Sequence, residues 1–174
     1  ILVYLIFVAS ATCRCYNRKM LRVFFIGFAC FFISAPIFAH ATVRITEIMY
    51  DVPGTDTGRE WIEVWNDGVE SVDMTGWKFN DGSNHILYPP PQKGGVGSLV
   101  TSSGAYAIFA ASSTQFISEH TVSVSVINTS MDLGQQDNRT YPLALIHSDG
   151  SPEDTVSYTT ALGANGDGDS LQLI

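Results

Sequence analysis

The side chains of this 174-residue chain that could do chemistry are scattered oxygen donors, a few histidines and several large aromatics. Asn165-Gly-Asp167-Gly-Asp169-Ser170 sets oxygen-bearing side chains at alternate positions, as the opening of a calcium loop does. Its sixth position is Ser170 where an EF-hand turn takes glycine, and the sequence ends before the twelfth position, where a bidentate glutamate would sit. Two readings therefore stand side by side: a weak calcium site at Asn165, Asp167 and Asp169, or an Asp-Gly hairpin turn with no ion. No other cofactor is implied.

Two acidic pairs, Glu60 with Glu63 and Asp67 with Asp81, are of the type that acts as general acid and base. Glu60 and Glu63 fall on opposite faces of one extended strand, and the two aspartates belong to turns, so neither pair converges. His85, His120 and His147 lie in separate segments with no zinc spacing between them, and no serine stands in a Gly-x-Ser-x-Gly elbow. No catalytic residue is assigned on this basis. Trp61, Trp65 and Trp77 read first as core packing; Tyr50 and Trp65, if exposed together, would instead make an aromatic platform for a sugar.

The elements that must position these groups are strands. In Glu60–Asn66, Ile62 and Val64 fall on one face and Trp61, Glu63 and Trp65 on the other, the period of two of a pleated strand. Asp67-Gly68 and, after Trp77 and Phe79, Asp81-Gly82 supply turn residues that tolerate positive φ, which predicts that the chain folds back twice. Residues 42–50 make a first strand with Val43, Ile45, Glu47 and Met49 on one face if alternation is unbroken. A carboxylate in that apolar row is costly, so either a bulge re-aims Glu47 or donors satisfy it.

Further strands are expected at residues 85–88, stopped by Pro89-Pro-Pro91, and at 105–110. Residues 121–128 alternate Val122, Val124 and Val126 with polar partners, and residues 141–147 and 154–160 flank the turn Ser148-Asp-Gly-Ser151. Nothing here sustains a helical period. The expected core comprises Ile45, Ile62, Val64, Met74, Trp77, Phe79, Ile108, Val122, Val124, Val126, Leu133, Leu143, Leu145, Val156 and Leu171. An all-β sandwich or barrel follows.

Charge divides the chain. All seventeen acidic residues follow position 42, with only Arg44, Arg59, Lys78, Lys93 and Arg139 beside them, a net −12 on residues 42–174. That field repels a phosphate backbone, and the five cations form no stripe, which argues against nucleic-acid binding.

Residues 20–41 carry the pattern of a secretory signal. A positive region at Arg18, Lys19 and Arg22 precedes an apolar run from Val23 to Ile33, a break at Ser34 and Pro36, and a cleavage motif Ala39-His-Ala41. The run is shorter than the roughly twenty residues that span a bilayer, so contact with a membrane is expected to be transient. Residues 1–19 read as an upstream extension or a short hydrophobic segment. Cys13, Cys15 and Cys30 all precede position 42, leaving a cysteine-free domain that is expected to begin at Thr42 after cleavage and to be truncated at its C-terminal end. Export without disulfides suits a bacterial source.

Taken in order, Val43-Arg-Ile-Thr-Glu47-Ile-Met-Tyr50, Glu60-Trp-Ile-Glu63 with Asn66, Val72-Asp73 with Gly76-Trp77, and Asn80-Asp-Gly82 resemble the lamin tail domain. Asp149-Gly150, Asp154-Thr-Val-Ser-Tyr158 and Gly168-Asp-Ser-Leu-Gln172 extend the resemblance over nearly everything after residue 42. It implies an immunoglobulin-like β-sandwich of two antiparallel sheets, found in nuclear lamins and in many exported bacterial proteins, without enzyme activity of its own. The expectation is a secreted or cell-surface module for binding, adhesion or spacing, whose partner is an extracellular protein or glycan. An accessory domain of an exported nuclease or other hydrolase, and a calcium-dependent surface binder, are the alternatives.

Overall fold

The computed structural model describes residues 43–136 and 139–173. The extension at 1–19, the leader at 20–41 and its cleavage after Ala41 lie outside the described residues.

Strand β1 (Val43–Met49) pairs antiparallel with β2 (Trp61–Asn66). Its alternation is broken. Ile45 stands opposite Val64 and Glu47 opposite Glu63, so Thr46 is an extra residue bulged out of the ladder. Beyond the bulge Ile48 and Tyr50, not Glu47 and Met49, join Val43 and Ile45 in the core. Glu47 is thereby re-aimed to the half-buried side, where its carboxylate accepts from the Ser170 hydroxyl.

After β2 come β3 (Val72–Asp73), β4 (Lys78–Asn80), β5 (Asn84–Ile86), β6 (Val100–Thr101) and β7 (Tyr106–Ala110). Asp81-Gly82 makes the expected hairpin: β4 pairs antiparallel with β5, and Gly82 takes φ +114°, a conformation open to glycine. Asp67-Gly68 does not. The neighbours of β2 are β1 and β7, and the chain leaves β2 to form a separate ribbon of β3 with β6. Here the turn follows the Asn66 side chain, whose Oδ1 accepts from Gly68 N–H and whose Nδ2 donates to the carbonyls of Glu70 and Thr101.

Helix α1 (Ser113–Glu119) follows β7, then β8 (Ser125–Asn128), β9 (Thr140–Ile146), β10 (Pro152–Thr159) and β11 (Leu171–Gln172). The helix was not expected. It carries the chain back so that β8 runs parallel to β7, the one parallel pair among the strands described. The large sheet has the order β11-β1-β2-β7-β8 and the small one β10-β9-β4-β5.

Val43, Ile62, Val64 and Phe109 of the large sheet meet Phe79, Leu143, Leu145 and Tyr158 of the small one in a single buried core. Its inward faces are dry on both sides, the sandwich arrangement. A second cluster covers the outer face of the large sheet: Met49, Trp61, Ile108, Ala110 and Val126 lie beneath Phe116 of α1. Ile108 and Val126 are thus buried outside the main core. Val122 and Val124 are only partly buried against that same outer cluster, because the alternating stretch becomes a strand only at Ser125. Val156 is likewise partly buried, at the margin of the main core.

At one seam the sheets are joined by side chains. The Val43 and Ile45 N–H groups, facing away from β2, donate to Glu153 Oε1 and Asp154 Oδ2 of β10, each at 2.8 Å. Further along the same edge Leu173 N–H donates to the Thr46 carbonyl. An open row of backbone donors is closed without a strand beside it.

Candidate functional site

Most of the ionisable groups singled out in the sequence have a structural partner. Glu63 accepts from the Thr46 hydroxyl at 2.8 Å. Asp67 pairs with Arg44 at 2.7 Å, while Asp81 takes His85 at 2.9 Å and the Asp132 N–H at 3.2 Å. His147 sits 2.7 Å from Glu153 Oε2 and against the Trp77 ring at 4.2 Å, so Glu153 ties this histidine to the seam. His120 stacks on Phe116 at 4.4 Å. These histidines are not gathered together.

Glu60 is the chemical surprise. It is 3% exposed, and removal from water pushes its carboxyl up to about 8, aided by Asp132 and Asp56 and opposed by hydrogen bonds from the Leu133 N–H and Gln135. A carboxylic acid that keeps its proton near neutrality is the kind of group general acids are made from. Glu60 is not among the residues that line the cavities beside Trp65 and Tyr106. Around it the rings of Tyr50, Tyr158 and Tyr141 stack in succession, centroids 4.9 and 5.3 Å apart, and burial drives the Tyr158 phenol well above its ordinary range. The Tyr158 hydroxyl donates to the Gly134 carbonyl, and a Cβ at Gly134 would collide with the Tyr141 ring. The group is a polar pin between β2 and the 131–136 segment. The sequence named Glu60 only as half of an acidic pair with Glu63; its burial against the 131–136 segment carries no local signal.

The calcium candidates do not form a cage. Asp167 Oδ1 accepts from the Asp169 N–H at 3.0 Å, the turn chemistry of the alternative reading. Asp51 feels Asp167, and burial together with the Asp56 and Asp167 carboxylates raises the Asp51 carboxyl. Among the described residues no group of three or more His, Cys, Asp or Glu side chains is placed to hold a metal ion.

The aromatic platform is not where the sequence put it. Tyr50 is fully buried, because the Thr46 bulge turns it into the core, where its hydroxyl donates to the Gly163 carbonyl. Trp65 lies at the other end of the β1–β2 pair and stacks instead on Tyr106, centroids 6.0 Å apart and planes 17° apart. Tyr106 is 42% exposed. The stack occupies the part of the outer sheet face that α1 leaves uncovered. A cavity of about 370 Å³ opens beside Tyr106, and one of about 270 Å³, lined by Arg44, Trp65 and Asp154, opens beside its partner. Tyr106 was passed over in the sequence because the other four residues of its strand, Ala-Ile-Phe-Ala, are apolar and read as buried packing.

A family model for the lamin tail domain matches residues 37–160, more than half of the chain. The chain belongs to the lamin tail domain family. A comparison with curated proteins finds no match. The lamin tail domain is an immunoglobulin-like, non-catalytic type of domain, and the two packed sheets are its sandwich. Within the matched range fall the bulge, the Asn66 turn, the Glu60 pin and the Trp65–Tyr106 stack; β11 lies beyond it and pairs with β1 at Glu47 and Ile48.

Proposed function

We propose that this lamin tail domain is a non-catalytic, exported module that serves binding, adhesion or spacing in a longer extracellular or cell-surface protein. The observation that carries the non-catalytic part is how the candidate acids and bases are occupied. Glu60, Glu63, Asp67, Asp81 and Asp154 each hold a backbone, hydroxyl or cationic partner that shapes the fold. A general base needs a free face toward a substrate. In the cavity beside Tyr106 the phenol is the one ionisable lining group, and in the other Asp154 is bonded to the Ile45 N–H.

Export rests on the leader-like residues 20–41 and on the acidic, cysteine-free composition after them. The same acidity supports a partner other than nucleic acid. The test is to express the chain from Met20 in a bacterial host and determine the mass and N-terminus of the protein outside the cytoplasm. Export with Thr42 as the first residue is expected; intact protein confined to the cytoplasm would refute the reading.

A further inference from the structure

We propose that the cavity beside Tyr106 binds a neutral oligosaccharide, which rests on reading the domain as a binding module and supplies its class of ligand. The cavity measures about 370 Å³, within the range of small-molecule sites. Its wall alternates apolar surface, from Val100 and the Tyr106 ring, with the hydroxyls of Thr101, Ser102, Ser123 and Ser125. It contains no Asp, Glu, Lys or Arg. In a domain this acidic, a lining free of formal charge selects against ionic ligands and favours one recognised by hydroxyl–hydroxyl bonds and ring stacking.

Tyr106 is oriented for the stacking. Strand β7 lies between β2 and β8. One face of the Tyr106 ring is taken by Trp65 of β2, so the opposite face is directed to the β8 side, where Ser123 and Ser125 bound the cavity. The axial C–H groups of a pyranose pack against such a face, and the rigid ring costs little conformational entropy to order.

Unmet polar groups gather at the same end of the sandwich. Among the described residues, four buried side-chain atoms have no hydrogen-bond partner, and three of them belong to Trp65, Asp67 and Thr101. Thr101 is 3% exposed and forms part of the cavity floor. Orphaned buried groups are rare in folded proteins, and Thr101, the one of these that lines the cavity, is placed to gain a partner from a ligand. The rim is held for this role: Asn66, itself fully buried, bonds the Thr101 carbonyl at 2.9 Å, and its backbone clasps Gly104 and Ala105.

The experiment is a titration of the ¹⁵N-labelled protein with chitotriose, cellotriose and maltotriose, followed by amide and indole shifts. Saturable shifts are expected for at least one sugar, centred on residues 100–106, residues 123–125 and the Trp65 indole. Tyr106→Ala should weaken that binding roughly tenfold, the order of a lost aromatic contact, with dispersed spectra retained. Thr101→Val, which keeps the shape and removes the hydroxyl, should weaken it severalfold. Absence of shifts at this cavity with all three sugars would overturn the proposal. Binding that Tyr106→Ala leaves unchanged would place the sugar elsewhere, and shifts that grow only with protein concentration would make the occupant a second copy; either result overturns the proposal. None of these outcomes bears on export, which the N-terminus of the secreted protein decides.

Discussion

Glu60 shows how one residue can set the pH behaviour of the whole domain. An unfolded glutamate releases its proton near its ordinary value of 4.5, whereas the folded one holds it to about 8. Between these values the folded state binds more protons than the unfolded state, so this group's contribution makes stability fall as pH rises. Asp73 and Asp149 act in the opposite sense in acid, since hydrogen bonds from Thr75 and Ser151 hold their carboxyls below the ordinary range. The expected outcome for Glu60→Gln, which keeps an uncharged polar group of the same shape, is a flatter stability profile between pH 5 and 8. Urea denaturation at several pH values measures this; an unchanged slope would mean that Glu60 is ionised in the folded protein.

The seam between β1 and β10 is where elements, more than residues, are joined. The N–H groups of Val43 and Ile45 have no strand on their outer side and reach the carboxylates of Glu153 and Asp154. Removing one acceptor leaves a backbone donor unpaired at a partly buried edge. Asp154→Ala should therefore destabilise the domain by about 1 to 2 kcal/mol in chemical denaturation. Asp154→Asn, which retains an acceptor, should recover much of that loss. Equal stability of Asp154→Ala and the parent would show that the seam contributes nothing.

The same scale explains what the sequence disclosed. Strands β2, β7, β9 and β10 and the turns at Gly82 and Gly150 were legible because alternation and Asp-Gly steps are local signals. The Thr46 bulge was not, since an extra residue leaves no mark in composition; it reversed the faces of Ile48, Met49 and Tyr50 and so misplaced the aromatic platform. Helix α1 spans only residues 113–119, too short for periodicity to register. Its start did carry a signal, Ser112-x-x-Gln115, in which the Ser112 hydroxyl accepts from the Gln115 N–H. Without the helix, Ile108 and Val126 of the apolar outer row looked like part of one central core.

At the scale of the molecule, the chain solves two burial problems with one sheet. Its inner face packs on the small sheet, and much of its outer face packs under α1, leaving the Trp65–Tyr106 end open. Candidate site residues proved harder to read than the fold because carboxylates used for capping and pinning look identical in sequence to carboxylates used for chemistry. Only tertiary placement separates them. Val43 was seen as a strand residue, for example, but its N–H partner is Glu153, distant in sequence and unrelated by any motif.

The central claim is that two sheets form one cooperative interior held by these polar pins. Native-state amide hydrogen exchange tests it most directly, because residues that open only on global unfolding share one protection free energy. Ile62, Val64 and Phe109 of the large sheet and Phe79, Leu143 and Leu145 of the small one should exchange together and slowest, at the free energy of global unfolding. Slow exchange confined to one sheet, with the other exchanging freely, would contradict the account.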